Sequence, residues 1–115
     1  MNNEKIKVEH PVIMFRLNKN YYEGISSQQL YQNTRSSWVL SKKKKEKAQY
    51  AFSVYKGVIK EVYRIESWES TNNPGRFAFV GEVAEDAVRN QYLDGKVAEY
   101  FPKGAANPVR YFNID

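Results

Sequence analysis

The sequence predicts a small α+β domain: a curved or barrel-like mixed sheet of five to six strands, with two to three short helices at its ends. Three observations predict it. Segments rich in β-branched and aromatic residues recur along the chain, bounded by Asn, Gly and Pro turns. The helical segments are short and do not alternate strictly with the strands, which argues against a doubly wound parallel sheet. No repeat or linker interrupts the 115 residues, so residues 1–115 read as one domain whose residues 1–10 form a loose lead-in.

Pro11 to Leu17 (P-V-I-M-F-R-L) reads as the first strand, with Pro11 at its start, where a missing N–H is tolerated. Asn18-Lys19-Asn20 breaks it. Ser26 followed three residues later by Gln29 fits a capping box, and Ile25 with Leu30 fits a hydrophobic staple. The helix they open is expected over Ser27 to Thr34, with Leu30 and Tyr31 inward. Ser41 is a candidate cap for a second helix through Gln49, whose first turn would be Lys42, Lys43, Lys44 and Lys45. Cations there oppose the helix dipole by about 0.3–1 kcal/mol each. Either that helix starts later or the lysines face an anion.

Tyr50 to Tyr55 is the next strand, Lys56-Gly57 a two-residue turn with Gly57 at positive φ, and Val58 to Trp68 a long returning strand. Its alternation is imperfect. Tyr63 and Ile65 are assigned to the core, and a bulge is expected near Lys60 or Glu61. Thr71 to Gly75 carries every usual turn signal. Arg76 to Val83 is a strand with Phe77 and Phe79 on one face. Glu85 and Asp86 open a helix to Tyr92, with Ala87, Val88, Gln91 and Tyr92 as its inward stripe, and Asp94-Gly95 ends it. Lys96 to Phe101 is ambiguous between strand and helical turn. Pro102 to Pro108 is a loop, and Val109 to Ile114 closes the chain as a strand.

Composition bounds the chemistry. Cysteine is absent and His10 is the single histidine, which excludes disulfides, thiolate metal sites, a cysteine nucleophile and a two-histidine site. No metal and no cofactor is expected. No P-loop or dinucleotide fingerprint occurs. The polar N-terminus and the absence of an apolar run near 20 residues lead to the expectation of a cytoplasmic protein without a membrane partner. The formal net charge of +5 permits an anionic partner.

The sharpest electrostatic feature is Lys42, Lys43, Lys44, Lys45 and Lys47, with Arg35 and Trp38 close by in sequence. Cations that neutralise phosphate beside a ring that can stack on an unpaired base suit nucleic acid. The competing reading is a solvated lysine face. Trp38 follows a polar helix end and Trp68 lies on the polar-leaning even face of its strand, so each is a candidate pocket wall, although tryptophan is more often core. The loop from Gly104 to Tyr111 (G-A-A-N-P-V-R-Y) either offers backbone N–H groups to a ligand or lets the last strand enter a crowded barrel. Glu61, Glu66 and Glu82 lie on predicted strands, and one of them with a lysine and a threonine would make a hydrolytic site.

Thr34-Arg35-x-x-Trp38, the lysine-rich turn, and Ala48-x-Tyr50-Ala51-Phe52-x-Val54-Tyr55-Lys56-Gly57-Val58-Ile59-x-Glu61-Val62-Tyr63-x-Ile65 together resemble small bacterial PUA-like domains, the superfamily of ASCH, EVE and YTH domains. Arg76-Phe77-x-Phe79-x-Gly81-Glu82 and Gly104-Ala105-x-Asn107-Pro108-x-x-Tyr111-x-Asn113 fit the same pattern, so the resemblance runs from about Val12 to the end. It is closest to stand-alone bacterial proteins and to modules beside restriction-type nucleases. The chain reads Ser36-Ser37 where such domains often carry a glycine.

The resemblance implies a pseudo-barrel with helices at its mouth, binding RNA or DNA or a modified or flipped base in an aromatic pocket. Trp38 or Trp68 would serve as a cage wall, and Thr34, Tyr55, Glu82 and Asn107 would line the ligand pocket. Association with a nuclease or another protein is a further expectation. Some ASCH relatives are amidohydrolases or ribonucleases using Lys, Thr and Glu, which Thr34 and Glu82 match by type. Three readings follow: a nucleic-acid-binding module, a small hydrolase of modified nucleosides or nucleic acid, and a protein–protein adaptor.

Overall fold

Six strands hydrogen-bond into one sheet: β1 (Val12–Leu17), β2 (Trp38–Val39), β3 (Tyr50–Tyr55), β4 (Val58–Ser70), β5 (Arg76–Val83) and β6 (Val109–Phe112), in the order β2-β5-β4-β3-β1-β6. The helices are α1 (Ser27–Arg35), α2 (Lys42–Lys45) and α3 (Asp86–Tyr92), with a 3-10 turn at Ala98–Tyr100. The structure, a computed structural model, describes residues 6–101 and 107–114. The expectations for Gly104, Ala105 and Ala106 lie outside the described residues. Among those described, no helix is long and apolar enough to cross a membrane.

β1 pairs in parallel with β3, and the other pairings are antiparallel. Phe15 on β1 stacks on Trp38 of β2 with ring centroids 4.8 Å apart, although β5, β4 and β3 lie between those strands in the sheet. Four interstrand steps would set them about 19 Å apart in a flat sheet. The sheet is therefore curled into a half-barrel. Its concave face gathers Ile13, Phe15, Ala51, Tyr63, Phe79 and Val109. The convex face gathers Val12, Met14, Phe52, Val54 and Val62, covered by Val88 and Tyr92 of α3 and by Val97. With both faces covered, β1 and β3 are buried almost end to end.

The long strand β4 carries two bulges. Val54 faces Ile59 and Ser53 faces Glu61, which leaves Lys60 as the extra residue where the sequence led us to expect one. Farther on, Ile65 faces Gly81 and Ser67 faces Val80, so Glu66 is also extra. Each bulge reverses the alternation. Ile59 and Val62 thereby share the convex core, while Tyr63, Ile65 and Trp68 share the concave one. Trp68 thus leaves the polar-leaning face that strict alternation assigned to it.

The helices follow their caps. Ser26 Oγ accepts the Gln29 N–H at 3.1 Å, but the Gln29 side chain turns to Asn33, so the capping box is half closed. Ser41 caps α2 by accepting the Lys44 N–H at 3.2 Å. α2 ends after one turn instead of continuing to Gln49, because the Gln49 and Tyr50 N–H groups are captured by the Pro11 carbonyl where β3 begins beside β1. In α3, Val88 and Tyr92 turn inward while Ala87 and Gln91 remain exposed, a narrower stripe than expected. Lys96 makes a bridge to Val58 before the 3-10 turn, so the ambiguous segment contains some of each state.

Candidate nucleic-acid interface

The lysine run is split by its anchoring. Trp68 Nε1 donates to the Lys45 carbonyl at 3.0 Å, and the Ser41 N–H donates to the Tyr111 hydroxyl at 3.0 Å, tying α2 to β4 and β6. Lys45 is 8% exposed, its ammonium 4.8 Å from the Phe77 ring centroid and 5.9 Å from that of Trp68. Lys44 lies 4.9 Å over Tyr111. Cation–π contact replaces water for these two. Lys42, Lys43 and Lys47 stand exposed. One turn of backbone, fixed on three aromatic residues, thus presents Lys42 and Lys43 to solvent, with Lys47 just past its end.

The tryptophans serve the core. Trp38 stacks on Phe15 and its Nε1 donates to the Thr34 carbonyl at 2.8 Å. Trp68 meets Phe79 edge-on at 6.0 Å. Trp38 also lines a cavity of about 210 Å³, shared with Asn107, where the free edges of β2 and β6 face each other. That places two predicted pocket residues together, with the arginine Arg76 beside them.

Arg35 is held rather than free. Its Nε donates to the Phe79 carbonyl at 2.9 Å and its Nη2 to Glu69, and it borders a polar cavity of about 250 Å³ with Ser70 and Thr71. Thr34 is fully buried and its hydroxyl donates to the Leu30 carbonyl at 2.7 Å. Glu82 pairs with Arg64 at 2.9 Å on the outer face of the sheet, with 65% of its side chain exposed. Thr34 and Glu82, matched by type to hydrolase residues, therefore lie on opposite sides of the sheet. Among the described residues the ion pairs are Arg–Glu pairs, and none joins a lysine to a glutamate beside Thr34. The described residues hold no cluster of three or more metal-ligating side chains.

Tyr55 lies at the end of β3. It borders a cavity of about 410 Å³ with Arg16, Asn18 and Lys56. The sequence reading named Tyr55 but not its basic neighbours. They come from the ends of β1 and β3, and only the parallel pairing of Leu17 with Tyr55 brings those ends together.

The concave core also holds polar groups. Tyr63 is 2% exposed, and burial first, then the nearby Glu61 carboxylate, holds its phenol well above the usual range. Glu61 is itself engaged by Arg89 at 2.7 Å, a bond that in turn raises the Arg89 guanidinium. No family model, curated protein or solved structure matches the chain.

Proposed function

We propose that this chain is a PUA-like nucleic-acid-binding module, docking RNA or DNA through its phosphate backbone at α2. The observation that supports the reading is the anchoring of the lysine turn. Four consecutive lysines in the first turn of a helix repel one another and oppose its dipole. A turn that is merely solvated has no need of a tryptophan N–H, a tyrosine hydroxyl and three ring faces to fix it. Held in this way, the backbone presents Lys42, Lys43 and Lys47 as a cationic comb, and little backbone freedom is lost when phosphates arrive. The net charge of +5 adds long-range attraction for a polyanion. The quoted sequence resemblance and the half-barrel with short helices agree with this assignment. The hydrolase reading has no such support, since Thr34 and Glu82 stand apart.

The test is equilibrium binding of short RNA and DNA oligonucleotides at two salt concentrations, with a Lys42→Gln/Lys43→Gln/Lys47→Gln variant alongside. Salt-sensitive binding that the variant weakens supports the proposal. Absence of binding at low salt refutes it.

A further inference from the structure

The parallel pairing of β1 and β3 ends Leu17 and Tyr55 side by side, and the turns that leave them form one rim. Into the cavity of about 410 Å³ at this rim face Arg16, Asn18, Tyr55, Lys56 and Pro108, and none of the described residues lining it is acidic. Its size falls within the roughly 300–1,000 Å³ typical of small-ligand sites. Tyr21 packs on Tyr55 with ring centroids 4.6 Å apart. A lysine ammonium stands over each ring: Lys56 at 5.4 Å from Tyr55 and Lys60 at 5.4 Å from Tyr21. Lys60 is the extra residue of the first β4 bulge, so the bulge brings this cation to the rim. One step down the same face of β3, Ser53 is fully buried, and its hydroxyl has no hydrogen-bond partner among the described residues.

We infer that this rim is a site for an unpaired nucleotide, distinct from the α2 comb. A planar ring packs against the tyrosine pair, and a phosphate meets Lys56 and Lys60. Each half of that chemistry is needed. A bare phosphate has no use for two packed tyrosines, and an uncharged ring has none for the lysines beside them. Stacking on aromatic side chains tolerates any base and requires that the base be unpaired. The inference deepens the nucleic-acid reading and rests on it, because it names single strands as the preferred form.

The experiment compares a short oligouridine with a duplex of similar charge, using labelled strands and fluorescence anisotropy. Three variants are measured with the wild type: Tyr21→Leu/Tyr55→Leu, Lys56→Gln/Lys60→Gln, and the α2 comb triple. The tyrosine variant is expected to lose about tenfold or more on the single strand, the scale of one lost base stack, and to leave the duplex unchanged. Equal loss on both forms, or no loss while the α2 variant still weakens binding, overturns the rim site and leaves the nucleic-acid reading standing. Absence of wild-type binding to either form overturns both. Should the tyrosine variant fold poorly, uridine monophosphate is titrated into the wild type and followed by NMR. Shifts confined to the amides around Tyr55, Lys56 and Lys60 support the site. No shifts there, or the same shifts with ribose phosphate lacking a base, overturn it.

Discussion

Gly81 has no room for a methyl group. A Cβ built there would stand 2.0 Å from the Arg64 carbonyl oxygen, and the Gly81 N–H already donates to the Tyr31 hydroxyl of α1 at 3.0 Å. Backbone atoms cannot yield as a side-chain tip can, so Gly81→Ala is expected to lower stability by about 2–3 kcal/mol, the upper part of the range for overpacking. Urea unfolding measures it. Ser53 gives the opposite expectation. Its hydroxyl is buried without a partner among the described residues, so Ser53→Ala removes an uncompensated polar group and is expected to be neutral or mildly stabilising in the same assay. A loss beyond about 1 kcal/mol would show that the hydroxyl is bonded in solution. At this scale the sequence was legible where chemistry is local. Ser26 and Ser41 as caps and Gly57 at positive φ are of that kind. The facing of Trp68 was not, because the bulge at Glu66 depends on how β4 meets β5.

β4 is the element on which the others converge, and its bond to α3 is specific. Arg89 donates to both Glu61 carboxylate oxygens, at 2.7 and 3.3 Å, while one of them also accepts the Val62 N–H. Arg89 remains about one-third exposed, so water screens part of the loss when the pair is broken. Glu61→Gln is therefore expected to cost about 1–2 kcal/mol in urea unfolding, less than a fully buried pair would. The existence and order of the elements could be read from hydrophobic runs and turn residues, except for the two-residue β2, which only its pairing with β5 defines. The length of α2 could not: it is cut to one turn by the Pro11 carbonyl, a partner about 38 positions away in sequence. Nor could the β1–β3 pairing, which unites Arg16 with Tyr55 and Lys56. A parallel pair leaves no turn signature between its strands.

At the scale of the whole molecule, the curled sheet and its two cores bury tyrosines on both faces. Burial raises the phenols of Tyr50, Tyr63 and Tyr92 above the ordinary value of about 10. An acid whose folded value is raised stays neutral in the folded state while the unfolded chain ionises. Its contribution is thus intact below about pH 10 and is lost as pH rises beyond it. Thermal unfolding followed from pH 8 to 11 is expected to show a falling midpoint above pH 10, and Tyr63→Phe should fall less steeply than the wild type. The half-barrel class could be read from strand number and the lack of βαβ order. Its closure could not, since it rests on Phe15 meeting Trp38 across three intervening strands.

The most direct test of the central claim is the salt dependence of nucleic-acid affinity in the wild type and in the Lys42→Gln/Lys43→Gln/Lys47→Gln variant. If these lysines neutralise phosphates, affinity falls log-linearly with salt, and the variant's slope is shallower by about 2–3, close to one per lost contact. An unchanged slope, with affinity retained, would place the phosphate contacts elsewhere and contradict the assignment of α2 as the docking surface.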